Sequence, residues 1–152
     1  MRKALSYKFF GIPVIPTAVG SFMLLSTMFL WYGAVFRDPF QFLMGITEDQ
    51  VDAESLGFWY PMGFLFAAIQ GIGIAILLKW RGWPNLLVAG RTGLIASLFL
   101  GAMVFTYPLV ILPSHSIPLF LINASGLIVA WTLAAVTISL LLPRTRRRDH
   151  MS

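Results

Sequence analysis

Two amide side chains are the polar groups that the sequence places deepest in apolar stretches. Gln70 lies in the middle of the second long apolar stretch, and Asn123 lies early in the fourth. An amide that is left unpaired in hydrocarbon loses its hydrogen bonds, so both residues are expected to face the interior of a helical bundle. There they either join helices through bonds of about 0.6–2 kcal/mol each, or line a polar ligand site with Tyr107 and Trp131.

Groups that carry acid-base or metal chemistry are missing from these stretches. Ionisable residues inside a membrane usually mark transport or proton relay, but every Asp and Glu maps to a loop or to the C-terminal tail. The histidines, His115 and His150, are expected on opposite sides of the membrane, and the chain has no cysteine. No nucleophile, base and orienting group come together along the sequence. We therefore expect no catalytic site, no metal site and no cofactor.

These polar residues are set in four charge-free stretches, which cover residues 12–36, 55–78, 92–114 and 116–143. Each stretch is at least as long as the roughly 20 apolar residues that a helix needs to cross a membrane. With 58% hydrophobic and 11% charged residues, the 152-residue chain has too little polar surface for a water-soluble globule. The sequence predicts an all-α integral membrane protein with a single domain, residues 1–152, and four transmembrane helices in an up-down bundle. The spans are expected at about 13–36, 58–79, 86–112 and 117–142.

The charged residues are distributed unevenly between the two sides of this bundle. Basic residues precede the first span, lie between the second and third, and follow the fourth, and only Arg37 lies in the loop between the first and second. That loop is acidic, with Asp38, Glu48, Asp49, Asp52 and Glu54. Because Lys and Arg in short loops stay in the cytoplasm, both termini are predicted to be cytoplasmic. The placement of basic residues on the predicted cytoplasmic side accounts for the net charge of +5. Nucleic-acid binding is not indicated, since the sequence has no basic module with interleaved aromatic residues.

Aromatic residues and prolines mark the ends of the spans. Rings at headgroup depth are expected where the first span ends and the second begins. These rings are Trp31, Tyr32, Trp59 and Tyr60. Pro61 fits the first turn of the second helix, whereas Pro108 lies inside the third span and is predicted to kink or end that helix near Tyr107. The two helix pairs also permit a parallel internal repeat, since the second helix of each opens near a proline, Pro61 or Pro118.

Close packing of the helices is expected from ridges of small residues at a spacing of four. Such ridges let two backbones approach each other in lipid, either inside the chain or between copies. The ridge residues are Ala67, Gly71 and Ala75 in the second span, Gly93, Ser97 and Gly101 in the third, and Gly126, Ala130 and Ala134 in the fourth.

Three short strings of residues appear in a recognisable order. They are Leu30-Trp31-Tyr32-Gly33, Leu43-Met44-Gly45-Ile46-Thr47-Glu48-Asp49 and Phe120-Leu121-Ile122-Asn123-Ala124. With them, the chain resembles, over residues 14–142, a bacterial family of small four-span membrane proteins that is catalogued only as domain of unknown function seventeen-sixty-one. The resemblance implies a four-helix fold and a bacterial inner membrane, and it implies no activity.

Two functional hypotheses follow from these patterns. The first is a structural or accessory subunit without a catalytic site, which interacts through its helix faces with membrane lipids, with other membrane subunits or with its own copies. The alternative is a small transporter or ligand-binding membrane protein whose site contains Gln70, Asn123 and Trp131. The two differ in whether the amides serve as clamps between helices or as the lining of a site.

Overall fold

The computed structural model describes residues 7–46, 53–112 and 115–142, and for residues 53–59 it describes the backbone only. Among these residues, four helices are long and apolar enough to cross a membrane. They cover Val14–Val35, Tyr60–Trp80, Leu86–Ile111 and Ile117–Leu141. The prediction of a helical chain with four potential membrane spans is therefore confirmed, and it supports a multi-pass membrane protein.

The chain enters the bundle through a small hairpin that the sequence patterns did not predict. β1 (Lys8–Phe9) pairs antiparallel with β2 (Ile12–Pro13). Phe10 and Gly11 in the turn have positive φ angles of 49° and 77°, as both central residues of a type I′ turn require. Lys79 Nζ donates to the carbonyl oxygen of Phe10 at 2.9 Å, so the hairpin lies beside the end of the second long helix.

The first long helix ends in a widened turn. α1 (Val14–Leu30) continues into a π-helical turn (Trp31–Val35), and the short helix α2 (Arg37–Met44) follows. The N–H of Phe36 donates to the carbonyl oxygen of Trp31 at 2.8 Å, which is the five-residue spacing of a π turn. Single π turns of this kind occur often at functional sites. This one brings the end of α1 against the last helix of the bundle.

The second long helix, α3 (Ala53–Trp80), begins before its apolar stretch. The expectation that Pro61 occupies the first turn is therefore wrong, and Pro61 lies inside the helix. The reason is that hydropathy marks where lipid begins, whereas a helix can start in the polar segment before it. Both α2 and α3 are closed by a glycine with positive φ, Gly45 at 65° and Gly82 at 70°, in Schellman-type ends.

The third span is interrupted, as the proline predicted, and it is widened as well. α4 (Leu86–Ala96) passes into a second π-helical segment (Ser97–Ala102), and α5 (Thr106–Ile111) restarts after a turn at Phe105. Pro108, which has no N–H to bond the preceding turn, lies in the first turn of α5. The break thus falls just before Tyr107, close to the predicted position.

The last helix, α6 (Ile117–Leu141), is the centre of the bundle. It is the most buried of the four spans, and it packs along both α1 and α4, whereas α3 packs mainly on α1. Its first turn is capped by Ser116, whose hydroxyl oxygen accepts from the N–H of Leu119 at 3.4 Å. α3 and α4, in contrast, make few contacts with each other and leave a groove between them.

Glycines let the helix backbones approach closely along these interfaces. A Cβ at Gly20 would collide with Ile138 and a Cβ at Gly71 with Ser21. At Gly93 it would lie 2.7 Å from the carbonyl oxygen of Trp131, so no side chain fits at any of these positions. The predicted ridge residues are all buried in the structure; these are Ala67, Gly71, Ala75, Gly93, Ser97, Gly101, Gly126, Ala130 and Ala134.

Candidate functional site

A hydrogen bond between two side chains joins α3 to α6 near the middle of both helices. The indole Nε1–H of Trp131 donates to Oε1 of Gln70 at 2.7 Å. Both side chains are half-buried, and Trp131 packs against the core of the bundle. Gly71, the residue after Gln70, lies against Ser21 and holds α3 close enough to the bundle for the bond to form. We call this pair the Gln70 clamp.

A second pair of bonds joins the end of α1 to the start of α6. The phenol of Tyr32 donates to Oδ1 of Asn123 at 2.9 Å, and Asn123 is only 8% exposed. Beside it, the indole Nε1–H of Trp31 donates to the carbonyl oxygen of Ile122 at 3.0 Å. We call these two bonds the Asn123 clamp. Two neighbouring aromatic residues therefore bond two neighbouring residues of another helix.

The π turn and a glycine together make the Asn123 clamp possible. The turn starts at Trp31, and its widened backbone lets both Trp31 and Tyr32 reach α6. The indole lies flush on the backbone of α6 at Gly126, where a Cβ would come within 2.7 Å of the ring. Rings from α2 and its N-terminus support both aromatics, with centroid distances of 5.0 Å for Phe36 on Trp31 and 4.6 Å for Phe40 on Tyr32. Each ring is thus held on two sides.

The two clamps lie at different depths of the bundle. Asn123 and Trp131 are eight positions apart on α6, which is about 12 Å along the helix axis. The structure therefore places Gln70 and Trp131 about two helical turns along α6 from Asn123. Each amide instead has its own aromatic partner on another helix.

Tyr107 takes part in neither clamp. It is 71% exposed on α5, while the third span faces α6 through buried residues such as Ser97 and Gly101. The hydroxyl of the neighbouring Thr106 donates to the Met103 carbonyl oxygen at 2.6 Å. Neither the Thr106 hydroxyl nor the Tyr107 phenol bonds Asn123.

Most hydroxyl groups in the described spans bond to their own helix. The donor in each case reaches a carbonyl three or four residues back, which satisfies the hydroxyl without a partner helix. The residues that do so include Thr17, Ser21, Thr27, Thr92, Ser97, Ser125 and Thr132. Ser139 is different, because its hydroxyl donates to the carbonyl oxygen of Pro84 at 2.8 Å and ties α6 to the turn before α4. Polar links between helices therefore fall mainly to the amides and aromatic rings.

Among the grooves that the described residues form on the surface of the bundle are three open ones. One lies between the hairpin, α1 and α3, with a volume of about 660 Å³, and another of about 640 Å³ lies between the far halves of α1 and α3. Both are lined by apolar, aromatic and hydroxyl residues only. The third, of about 350 Å³, lies between α3 and α4 and has Arg81 at its mouth.

Metal ligands do not cluster in the part of the chain that the structure describes, where no group of three or more His, Cys, Asp or Glu side chains meets. The acidic residues Glu48, Asp49 and Asp52 and the tail histidine His150 lie outside the described residues.

Comparisons with models of protein families, with curated proteins and with solved structures give no match. The resemblance to the bacterial four-span family therefore stays a prediction.

The partner of Asn123 was not found from the sequence. Trp31 and Tyr32 were assigned to the headgroup belt because they end a span, but their rings are half-buried and bond α6. One signal was available. A buried amide needs a donor or acceptor from another helix. In an up-down bundle the first and fourth spans are antiparallel, so the end of the first lies at the same depth as the start of the fourth. Tyr32 at that end was therefore a candidate partner for Asn123.

Proposed function

We propose that this chain is a non-catalytic structural or accessory subunit of the bacterial inner membrane. It acts through its helix faces, on other membrane subunits or on copies of itself, in a lipid environment. The observation that carries this proposal is that the amides of Gln70 and Asn123 are both bonded to aromatic residues of other helices. Such bonds support a role in holding the bundle together, which is the first of the two hypotheses that the sequence raised.

The proposed arrangement in the membrane is an up-down bundle with cytoplasmic N- and C-termini. The antiparallel contacts of α1 with α3 and of α4 with α6 support it, as Gly71 meets Ser21 and Gly93 meets Ala135. Its orientation rests on the positions of the basic residues. In this arrangement Lys79 and Arg81 lie at the cytoplasmic surface, and Arg37 and Asp38 lie at the opposite one.

The outer face of α3 is the surface that we propose for a partner helix. Gly73 lies there between the exposed side chains of Phe66, Ile69 and Trp80, and a Cβ added to it would meet no atom within 4 Å. A glycine among large residues on a lipid-facing surface forms a notch, into which another helix can pack closely. The other glycines of this helix at Gly63 and Gly71 already have a neighbour on α1.

Gentle purification of the tagged protein from its native membrane tests the proposal. We expect defined partner chains to copurify with the wild type and to be lost from Gly73→Leu, which fills the notch. Ala18→Leu is the matched control, because it adds the same side chain to an exposed position on α1. Recovery of the protein without a partner chain or a second copy, or equal loss with both variants, would count against a subunit that docks through α3.

The transporter hypothesis makes a different prediction for the same chain. If the amides line a transport site, Gln70→Leu and Asn123→Leu abolish flux in reconstituted vesicles while the bundle stays folded. If they are clamps, both substitutions lower stability instead. Flux and unfolding measured on the same preparations therefore separate the two functions.

A further inference from the structure

We propose that the groove between α3 and α4 binds one anionic phospholipid, with an acyl chain in the groove and the headgroup phosphate at Arg81. Its apolar walls are formed by side chains of both helices, and these are Leu77, Trp80, Thr92, Ile95, Phe99 and Leu100. The volume of about 350 Å³ lies within the range of ligand pockets. This inference goes beyond the proposed partner role and does not depend on it.

The charge at the mouth of the groove indicates which lipid it binds. Arg81 follows the last residue of α3, at the depth where the apolar span ends, and it is exposed. The side chain of its neighbour Lys79 already donates to the carbonyl oxygen of Phe10, whereas the guanidinium of Arg81 bonds no described residue. Basic pockets between membrane helices bind anionic headgroups. The two larger grooves have no charged lining residue, so they lack this selectivity.

The length of the groove matches an acyl chain. Its wall on α4 and the following π-helical segment extends from Thr92 to Leu100. This is about 12 Å along the helix axis, against about 15 Å for half of a hydrocarbon core. The hydroxyl of Thr92 donates to the carbonyl oxygen of Val88 at 2.7 Å, so it presents no free donor to the groove. The interior of the groove is thus apolar, and the polar contact is confined to its mouth at Arg81.

The bundle leaves this groove open because α3 packs mainly on α1 and makes few contacts with α4. α1 packs closely along α6, and α4 packs closely along the other side, but α3 and α4 diverge beyond their connecting turn. Ile95 of α4 and Phe99 of the π-helical segment consequently remain about half or more exposed, and both line the groove. An acyl chain that fills the gap covers these side chains without any change in the helices.

Native mass spectrometry tests this site on the intact protein released from nanodiscs that contain equal amounts of phosphatidylglycerol and phosphatidylcholine. We expect one phosphatidylglycerol to be retained in preference to phosphatidylcholine. Arg81→Gln should lower this retention about fivefold, the scale expected for one basic residue near an anionic surface. Arg81→Lys should keep most of it. Arg91→Gln is the matched control, because Arg91 is basic and exposed but does not line the groove.

The acyl chain has its own test, which also decides the question if Arg81→Gln does not fold. Ile95→Trp fills the groove and should remove the retained lipid, whereas Leu94→Trp places the same ring on a neighbouring exposed position outside it. Glycerol phosphate in excess should not displace the lipid, since it lacks an acyl chain. Equal retention of the two lipids, or equal effects within either pair of variants, would overturn the proposal.

Discussion

The Gln70 clamp allows a quantitative test of how polar bonds hold this bundle together. Gln70→Leu removes the acceptor and leaves the indole N–H of Trp131 unpaired among apolar neighbours, at a cost of about 1–3 kcal/mol. Trp131→Phe removes the donor and part of the ring that packs on the core. The two single substitutions therefore lower the free energy of unfolding for different reasons. Only the coupling energy of the double-mutant cycle isolates the hydrogen bond.

The expected coupling energy follows from the geometry of the bond. Hydrogen bonds between membrane helices average about 0.6 kcal/mol and reach about 1.7 kcal/mol in double-mutant cycles. The distance of 2.7 Å between Nε1 and Oε1 is at the short end of the normal range for N–H···O bonds. We therefore expect about 1–1.7 kcal/mol for the cycle of Gln70→Leu with Trp131→Phe.

The coupling energy is measured by reversible unfolding in mixed micelles. The fraction of SDS is raised stepwise, and far-UV circular dichroism reports the loss of helix. The matched control is the cycle of Gln70→Leu with Trp31→Phe, because Trp31 bonds α6 at Ile122, at the other depth. This control should be additive to within about 0.3–0.5 kcal/mol. A coupling for Gln70 and Trp131 no larger than that of the control would refute the clamp.

Two further predictions concern the Asn123 clamp. Gly126→Ala should destabilise the bundle by about 1–3 kcal/mol, because its Cβ would lie 2.7 Å from the indole of Trp31. A shift in tryptophan fluorescence should accompany this loss of stability. The control is Gly73→Ala, since a Cβ at Gly73 meets no atom within 4 Å. It should stabilise α3 by up to about 1 kcal/mol. Equal effects of the two substitutions on stability would contradict the structure. Tyr32→Phe should cost about 0.6–1.7 kcal/mol in the same unfolding assay through the lost bond to Asn123, and this cost should vanish in an Asn123→Leu background.

The sequence predicted the parts of this fold that depend on hydropathy. Charge-free stretches locate the four spans, because lipid excludes charge over a known thickness. The amides were also identifiable, since Gln70 and Asn123 are costly in hydrocarbon wherever they lie. Pro108 likewise predicted the break in the third span, because its ring and missing N–H act on the local backbone.

The remaining features depend on backbone geometry that the sequence pattern does not encode. A π turn closes its hydrogen bond over five residues instead of four, so it adds one residue to a turn of the helix. A hydrophobic run has the same composition with or without such a turn. Trp31 and Tyr32 therefore read as a headgroup belt, whereas the widened turn directs them to α6. Similarly, nothing in the outer-loop sequence showed that α3 begins before its apolar stretch and takes Pro61 into its interior.

The central position of α6 has a consequence for biosynthesis. The ribosome delivers this helix after α1, α3 and α4, yet it supplies the main packing surface for both α1 and α4. α1 and α3 can pair as soon as both have left the translocon, whereas α4 has no extensive partner until α6 is inserted. Before α6 is in place, Gly20 and Gly93 lack the neighbours on α6 that their backbones later contact. The seams of α6 with α1 and α4 can therefore close only after α1, α3 and α4 have been made.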